Sequence, residues 1–129
     1  MSKIAALVIS TGFVIGVCVT ASAAQAAEAD PQKGGAVFNA KCGGCHSDVS
    51  GKNMIGPSLF GVYGRAAGTA PGYAYSSALK ASGIVWTDDK LTAWLTKPTA
   101  LVPGTKMSFA PPTTADEKAD LIAYLKSKH

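Results

Sequence analysis

The sequence is poor in metal-binding side chains and in charge. Its 129 residues include two histidines and three cysteines, and 16% of them are charged. A structural zinc site takes about four nitrogen or sulfur ligands. Outside one short segment the chain offers Cys18 and His129 for this purpose, so we do not expect a zinc site. The lysines are scattered and the net charge is +4, a composition that does not predict nucleic-acid binding.

The other metal-binding residues stand together in the run Cys42-Gly43-Gly44-Cys45-His46. This CxxCH spacing is typical of covalent haem c attachment, because two thiols on one tight turn can each add to a vinyl group of the same porphyrin. His46 then offers an imidazole nitrogen to the iron. A thioredoxin-like redox pair also uses CxxC, but it needs a βαβ context, and no alternating strand and helix pattern surrounds Cys42. We therefore predict one covalently bound haem c with its iron.

The first residues of the chain have the three-part plan of a secretory signal peptide. A lysine precedes the apolar stretch 4–19, and small-residue cleavage signals end at Ala23 and Ala26. We expect cleavage after Ala26, with Ala23 as the second choice. Residues 1–26 are then a signal peptide and residues 27–129 the mature domain, exported to the periplasm.

Two alternatives exist for this leader. An apolar stretch of about 17 residues is at the lower limit for a membrane-spanning helix, so the leader could stay as an uncleaved anchor. Lipid attachment at Cys18 is the weaker alternative, because Val17 is bulkier than a lipoprotein signal usually has before its cysteine. Cleavage would remove Cys18 and leave the two cysteines of the CxxCH motif.

Helices are predicted at both ends of the mature domain. Asp30 as cap and Pro31 at the first helical position begin one helix, which runs toward Cys42. Its interior holds Gly34 and Gly35, each costing about 1 kcal/mol against alanine, so a close backbone contact is expected there. At the other end, the Thr114 capping box with Glu117 begins a helix with an apolar stripe. We expect these two helices to cross.

A third, shorter helix is predicted from Thr87 to Pro98, with a weaker helical turn around 76–81. The segment 47–75 is rich in glycine and has no sustained periodicity, which predicts a loop. The expected fold class is therefore all-α, with long loops wrapped around the haem. About a hundred residues form a marginal core alone, so we expect the porphyrin to complete the core and the apoprotein to fold poorly.

With these features the mature chain resembles the class I c-type cytochromes, in the branch of cytochrome c2 and mitochondrial cytochrome c. The resemblance implies a small cytochrome c fold with crossed terminal helices. CxxCH alone occurs in many folds, whereas the later motifs are more specific. The matching motifs are Cys42 to His46, Gly56-Pro57-Ser58-Leu59, Gly61 to Arg65, Ala70-Pro71-Gly72-Tyr73, Gly83-Ile84-Val85-Trp86, Pro103-Gly104-Thr105-Lys106-Met107 and Asp120 to Lys126.

The resemblance also implies how the haem is held. Met107 matches the family's sixth ligand to the iron, opposite His46, and a thioether ligand stabilises ferrous iron. Met54 is the competing thioether, and a lone methionine is more often a filler of the core or of a loop. The carbonyl of Pro57 matches the acceptor for the other imidazole nitrogen. Three residues match positions that hold the haem propionates: Arg65, Tyr75 and Trp86.

The chain departs from the family at two places that bear on function. Trp94 stands where the family commonly has a tyrosine near the methionine sulfur, which leaves the reduction potential open. Mitochondrial relatives carry a ring of lysines around the haem edge. Here Lys41 and Lys106 remain, while several of the other positions hold Thr99, Ala100, Thr113 and Thr114.

The predicted function is that of a soluble, monomeric periplasmic carrier of one electron, without enzymatic activity. Its partners would be membrane redox complexes such as a bc1 complex, a terminal oxidase or a photosynthetic reaction centre, or a periplasmic dehydrogenase. One alternative is a five-coordinate haem protein that binds gases or reduces peroxide, in which Met107 does not ligate. Another is a haem subunit of a larger dehydrogenase.

Overall fold

The computed structural model describes residues 28–129, and within this range it is helical without β-strands. An isolated β-bridge joins Ala66 and Val85. No helix of the described range is long and apolar enough to cross a membrane. The predicted leader, with its cleavage sites and Cys18, lies outside the described residues. The helices are α1 (Pro31–Lys41), α2 (Ser77–Lys80), α3 (Asp88–Thr96), α4 (Pro98–Leu101) and α5 (Ala115–Lys126).

The first helix begins as its sequence predicts. The Asp30 carboxylate accepts hydrogen bonds from the backbone N–H groups of Gln32 and Lys33, at 2.8 and 3.4 Å, and Pro31 occupies the first helical position. These contacts satisfy N–H groups that have no partner within the helix. At the other end, the N–H of Cys42 donates to the Phe38 carbonyl. Cys42 is therefore held by the last turn of the helix.

The last helix carries the predicted capping box. The Thr114 hydroxyl accepts from the N–H of Glu117, and the Glu117 carboxylate accepts from the N–H of Thr114. Its apolar stripe, Leu121, Ile122 and Leu125, is buried in the core.

The two terminal helices pack closely at Gly34, as expected for a crossing. A Cβ atom on this glycine would overlap the backbone carbonyl of Asp120 and the Cβ of Tyr124. The N–H of Asp30 donates to the Asp120 carboxylate at 2.7 Å, and the rings of Phe38 and Tyr124 lie 5.6 Å apart. Glycine lowers the helix propensity of this position. In return, it lets the two backbones approach more closely than a residue with a Cβ atom would allow.

The third helix begins at the predicted cap, where the Thr87 hydroxyl accepts from the N–H of Lys90. It ends at Thr96, just before Pro98, as predicted. However, Pro98 also begins α4, a short helix that the sequence analysis did not predict. Proline favours the first helical position because it needs no N–H acceptor there. The same residue thus separates two helices instead of opening a loop.

The segment 47–75 is a loop, as expected, and side chains hold its shape. The Asn53 side chain accepts from the N–H of Ser58 at 3.0 Å and donates to the Pro71 carbonyl at 3.0 Å. The buried Ser58 hydroxyl donates to the Val49 carbonyl at 2.6 Å. These bonds replace the backbone ladder that a helix or strand would supply. The loop closes one side of a cavity in the core.

Two clusters, each of one tyrosine, one aspartate and one lysine, hold the last turn of α5. In the first, Asp88 pairs with Lys126 at 2.7 Å and accepts from the Tyr63 hydroxyl at 2.6 Å, while the Lys126 ammonium lies 4.8 Å from the Tyr63 ring centre. Both contacts hold the pKa of the Asp88 carboxyl below its usual value, with the Lys126 contact the larger cause. The second cluster joins Tyr124, Asp48 and Lys128.

Candidate functional site

A cavity of about 400 Å³ lies in the core, bounded by the helices and the loop. All eight residues that the sequence analysis selected as site residues line it, although they come from distant parts of the chain. They are Cys42, Cys45, His46, Pro57, Arg65, Tyr75, Trp86 and Met107.

The CxxCH segment forms a tight turn after α1. The N–H groups of Cys45 and His46 both donate to the Cys42 carbonyl, at 3.0 and 2.9 Å. This turn brings both thiols to the same cavity, and neither is in a disulfide. Burial raises the pKa of the Cys42 thiol, an effect that the nearby Lys41 ammonium partly opposes.

The imidazole of His46 is oriented by its neighbours in the loop. Its Nδ1 atom lies 2.8 Å from the Pro57 carbonyl oxygen. A carbonyl can accept but not donate, so Nδ1 carries the proton and Nε2 keeps its lone pair. Gly56 lies against the ring, where a Cβ atom would overlap it, and the N–H of Gly56 donates to the Cys45 carbonyl at 2.8 Å. Gly56 is thus a functional residue that was not predicted as one, although it belongs to the motif Gly56-Pro57-Ser58-Leu59.

The structure separates the two candidate thioethers. Met107 packs against the core cluster and lines the cavity. Met54 is 42% exposed and is not part of the cavity wall formed by the described residues. The turn before Met107 has Gly104 at φ +86°, a conformation that glycine adopts without steric cost. Met107 is thus the methionine that shares a cavity with His46.

The three predicted propionate residues all line the cavity, and a backbone hydrogen bond joins two of them. The backbone N–H of Trp86 donates to the Arg65 carbonyl at 3.0 Å, and the Arg65 guanidinium donates to the Phe60 carbonyl at 2.9 Å. Burial raises the pKa of the Tyr75 hydroxyl, while the charge of Arg65 acts in the opposite direction. A protonated phenol, an indole N–H and a guanidinium are all donors suited to a carboxylate.

The rest of the wall is mostly apolar and comes from several elements. Trp94 lines it next to Trp86, with the ring centres 5.1 Å apart and the planes at 70°. The residues therefore fit a large apolar group that bonds to two thiols, carries a metal that takes a nitrogen and a sulfur ligand, and has carboxylates that need donors. That is the chemistry of haem c. Aliphatic members of the wall include Leu59, Val62, Leu79, Leu91, Leu95, Leu121 and Leu125.

Comparison with known proteins agrees with this geometry. The cytochrome c family model matches residues 31–128. The chain belongs to the cytochrome c family. It is 48% identical over 98 residues to cytochrome c of Euglena viridis, a match that covers 76% of this chain and 96% of the relative. It is 47% identical over 98 residues to cytochrome c2 of Rhodopila globiformis, with 76% and 92% covered.

A solved structure shares the fold. Cytochrome cH from Methylobacterium extorquens superposes with a TM-score of 0.70 at 45% identity, over 77% of this chain and 99% of that one. The expected class I cytochrome c fold is thus confirmed. As a member of the family, the protein carries covalently attached haem c with its iron. Its relatives are electron-transfer cytochromes, which supports electron transfer as the general function.

Proposed function

We propose that the protein is a soluble periplasmic carrier that moves one electron at a time between respiratory or photosynthetic redox complexes. The observation that carries this proposal is that Cys42, Cys45 and His46 line the same cavity as Met107. Two candidate ligands for the haem iron, the His46 imidazole and the Met107 thioether, are therefore both at the cavity wall.

Each of these residues has a distinct role in the proposal. Cys42 and Cys45 would hold the haem through two thioether bonds, since addition of a thiol across a vinyl group would place sulfur on one carbon and the proton on the other. His46 would hold the iron through Nε2, and Met107 would hold it through its sulfur. When bound, the haem supplies a one-electron change between ferrous and ferric iron. With both residues bound, the iron would have no open position for oxygen or peroxide.

The surrounding residues tune and orient this site. The Pro57 carbonyl, 2.8 Å from Nδ1, fixes the His46 ring and raises its basicity as a ligand. Arg65, Tyr75 and Trp86 donate to the propionates, which need partners because ionised carboxylates are costly to bury. The donors are gathered at one wall, which supports a single orientation of the porphyrin.

Location and partners rest on the sequence. The signal-peptide pattern of residues 1–26 supports export to the periplasm, where the protein would act as a monomer. Donors and acceptors would be membrane complexes such as a bc1 complex, a terminal oxidase or a reaction centre, or a periplasmic dehydrogenase.

The decisive experiment is the visible spectrum of the dithionite-reduced holoprotein before and after addition of carbon monoxide. Ligation by both His46 and Met107 predicts no change, because carbon monoxide needs an open position on ferrous iron. A shifted Soret band would mean five-coordinate iron, and the gas-binding or peroxide-reducing alternative would replace the carrier.

A further inference from the structure

Lys128 contacts the loop that carries Pro57 at two separate points. Its ammonium pairs with the Asp48 carboxylate at 2.8 Å, and its backbone carbonyl accepts from the N–H of Gly61 at 2.7 Å. These two partners lie near opposite ends of residues 47–61, which we call the Pro57 loop. A single residue just after α5 therefore holds the loop near both of its ends.

Tyr124 completes the contact at Asp48. Its hydroxyl donates to the same Asp48 oxygen atom that pairs with Lys128, and the Lys128 ammonium lies 4.7 Å from the Tyr124 ring centre. The side chains of Asp48 and Lys128 are 25% and 31% exposed, so water and salt screen this ion pair less than a fully exposed one. Two donors from the end of α5 thus fix one carboxylate of the Pro57 loop.

Hydrogen bonds inside the Pro57 loop connect this contact to Pro57. The N–H of Leu59 donates to the Ser47 carbonyl at 2.8 Å, and the Ser58 hydroxyl donates to the Val49 carbonyl at 2.6 Å. Both serines are buried. These bonds join the two residues that flank the ion-paired aspartate to the two residues that follow Pro57. A displacement at the aspartate is therefore transmitted to the Pro57 carbonyl.

The Pro57 carbonyl is the point at which this loop acts on the site. It lies 2.8 Å from Nδ1 of His46, and the N–H of the preceding residue, Gly56, donates to the Cys45 carbonyl at 2.8 Å. A histidine that donates to a carbonyl becomes a more basic ligand, and a more basic ligand favours ferric over ferrous iron. A firmly held Pro57 carbonyl therefore lowers the reduction potential, and a loosely held one raises it.

The cluster of Tyr63, Asp88 and Lys126 provides a comparison within the same molecule. It has the same three residue types and also holds the end of α5, through an ion pair of 2.7 Å. Among residues 28–129, however, none of its side chains forms a hydrogen bond or an ion pair with the Pro57 loop. The two clusters therefore share their chemistry and differ in the segment that they hold.

We propose, on the basis of the proposed haem site, that Lys128 and Asp48 position the Pro57 carbonyl on the His46 imidazole and thereby set the reduction potential. Lys128 does not line the cavity, so it is a positioning residue that acts through the Pro57 loop. Loss of its ion pair loosens the loop, weakens the hydrogen bond to Nδ1 and raises the potential.

The test combines Asp48→Asn with Lys128→Gln in the holoprotein. This double variant removes one charge of each sign, so a change in its potential does not arise from net charge. The matched control combines Asp88→Asn with Lys126→Gln, which removes the other ion pair at the end of α5. Lys128→Arg is the conservative variant, because a guanidinium still pairs with a carboxylate.

Two measurements report on the site, namely amide hydrogen exchange of Gly56 by NMR in the reduced holoprotein and a redox titration. Without the Asp48–Lys128 pair, exchange at Gly56 should be about fivefold faster, which corresponds to about 1 kcal/mol, the upper range for an exposed ion pair. The ferrous-to-ferric ratio at a fixed potential should rise about threefold, less than the roughly 10–100-fold effect of removing the hydrogen-bond partner of a metal-bound histidine. The control and Lys128→Arg should keep the wild-type values.

An unchanged potential in the Asp48 and Lys128 double variant would overturn the positioning proposal, and so would equal changes in the control. Faster exchange at Gly61 alone would also overturn it, because the contact would then fix the loop without acting on His46. If a double variant is too unstable to isolate, Lys128→Gln and Lys126→Gln repeat the comparison, since each removes one positive charge. The proposed carrier function fails separately, through a carbon monoxide adduct of the reduced wild type.

Discussion

Gly34 lies directly against the backbone carbonyl of Asp120, so closely that a Cβ atom has no room there. The contact joins the first helix to the last, near opposite ends of the described residues. Both helices reach the haem cavity, through Cys42 at the end of α1 and through Leu121 and Leu125 of α5. The helix packing at Gly34 therefore positions two walls of the site.

Gly34→Ala is expected to lower the free energy of unfolding of the holoprotein by about 1–3 kcal/mol or more, the usual cost of inserting an atom into a tightly packed contact. Guanidinium unfolding followed by circular dichroism measures it. Gly35→Ala is the matched control, because its Cβ would lie 3.1 Å from the edge of the Tyr124 ring, a side chain that can shift. Equal stability losses in both variants would show that the backbone contact at Gly34 has no special weight.

Met107→Ala should open the iron and lower the reduction potential, because a thioether favours the ferrous state. We expect a decrease on the order of 100 mV, within the roughly 0.8 V that axial ligands span. Carbon monoxide should then shift the Soret band of the reduced variant. Met54→Ala, a change at an exposed methionine, should leave both the potential and the spectrum as in the wild type. A redox titration in which both variants keep the wild-type potential would refute ligation by Met107.

Replacing both Cys42 and Cys45 by alanine should leave the haem extractable by acidified organic solvent. The two thiols line one cavity and are the attachment points in the proposal. Absorbance of the organic phase measures release. Cys18→Ala, in the predicted leader, is the control and should retain its haem in the protein. Haem that stays with the double variant after extraction would contradict thioether attachment.

Acid should weaken the fold through Asp88. Its pKa is held below the usual value of 3.8 by Lys126 and then by Tyr63. A carboxyl with a lowered folded-state pKa stabilises the protein above its unfolded value and loses that contribution as the pH falls through the folded value. We therefore expect stability to decrease below about pH 4, where unfolded aspartates protonate.

In Asp88→Asn, the free energy of unfolding lost on acidification should be smaller than in the wild type by at most about 1 kcal/mol, because exposed ion pairs contribute little to stability. Thermal unfolding between about pH 5 and pH 2.5 covers the range in which the unfolded and folded carboxyls protonate. Asp89→Asn is the control, since Asp89 also lies in the first turn of α3 but forms no ion pair among residues 28–129. Identical pH profiles for the two variants would exclude the Asp88 cluster as a source of acid sensitivity.

Much of the site could be predicted because its signals are local. The CxxCH spacing depends on neighbouring residues, and so do the caps at Asp30 and Thr114, which the structure shows as expected. The family motifs extended this to Met107. The start of α4 at Pro98 was not predicted, because a proline after a helix can either end that helix or begin a new one. Which of the two occurs depends on the tertiary packing of Pro98, which is fully buried.

Residue spacing and side-chain chemistry were enough to indicate the cofactor, its attachment and the helix ends, because thioether formation and capping involve atoms a few residues apart. Tertiary structure alone decided the rest. It left Met54 outside the cavity wall that the described residues form, paired Lys41 with Glu117, and left Ile55 exposed. These outcomes depend on which distant segments meet, and burial and ion pairing exist only after the chain has closed around its core.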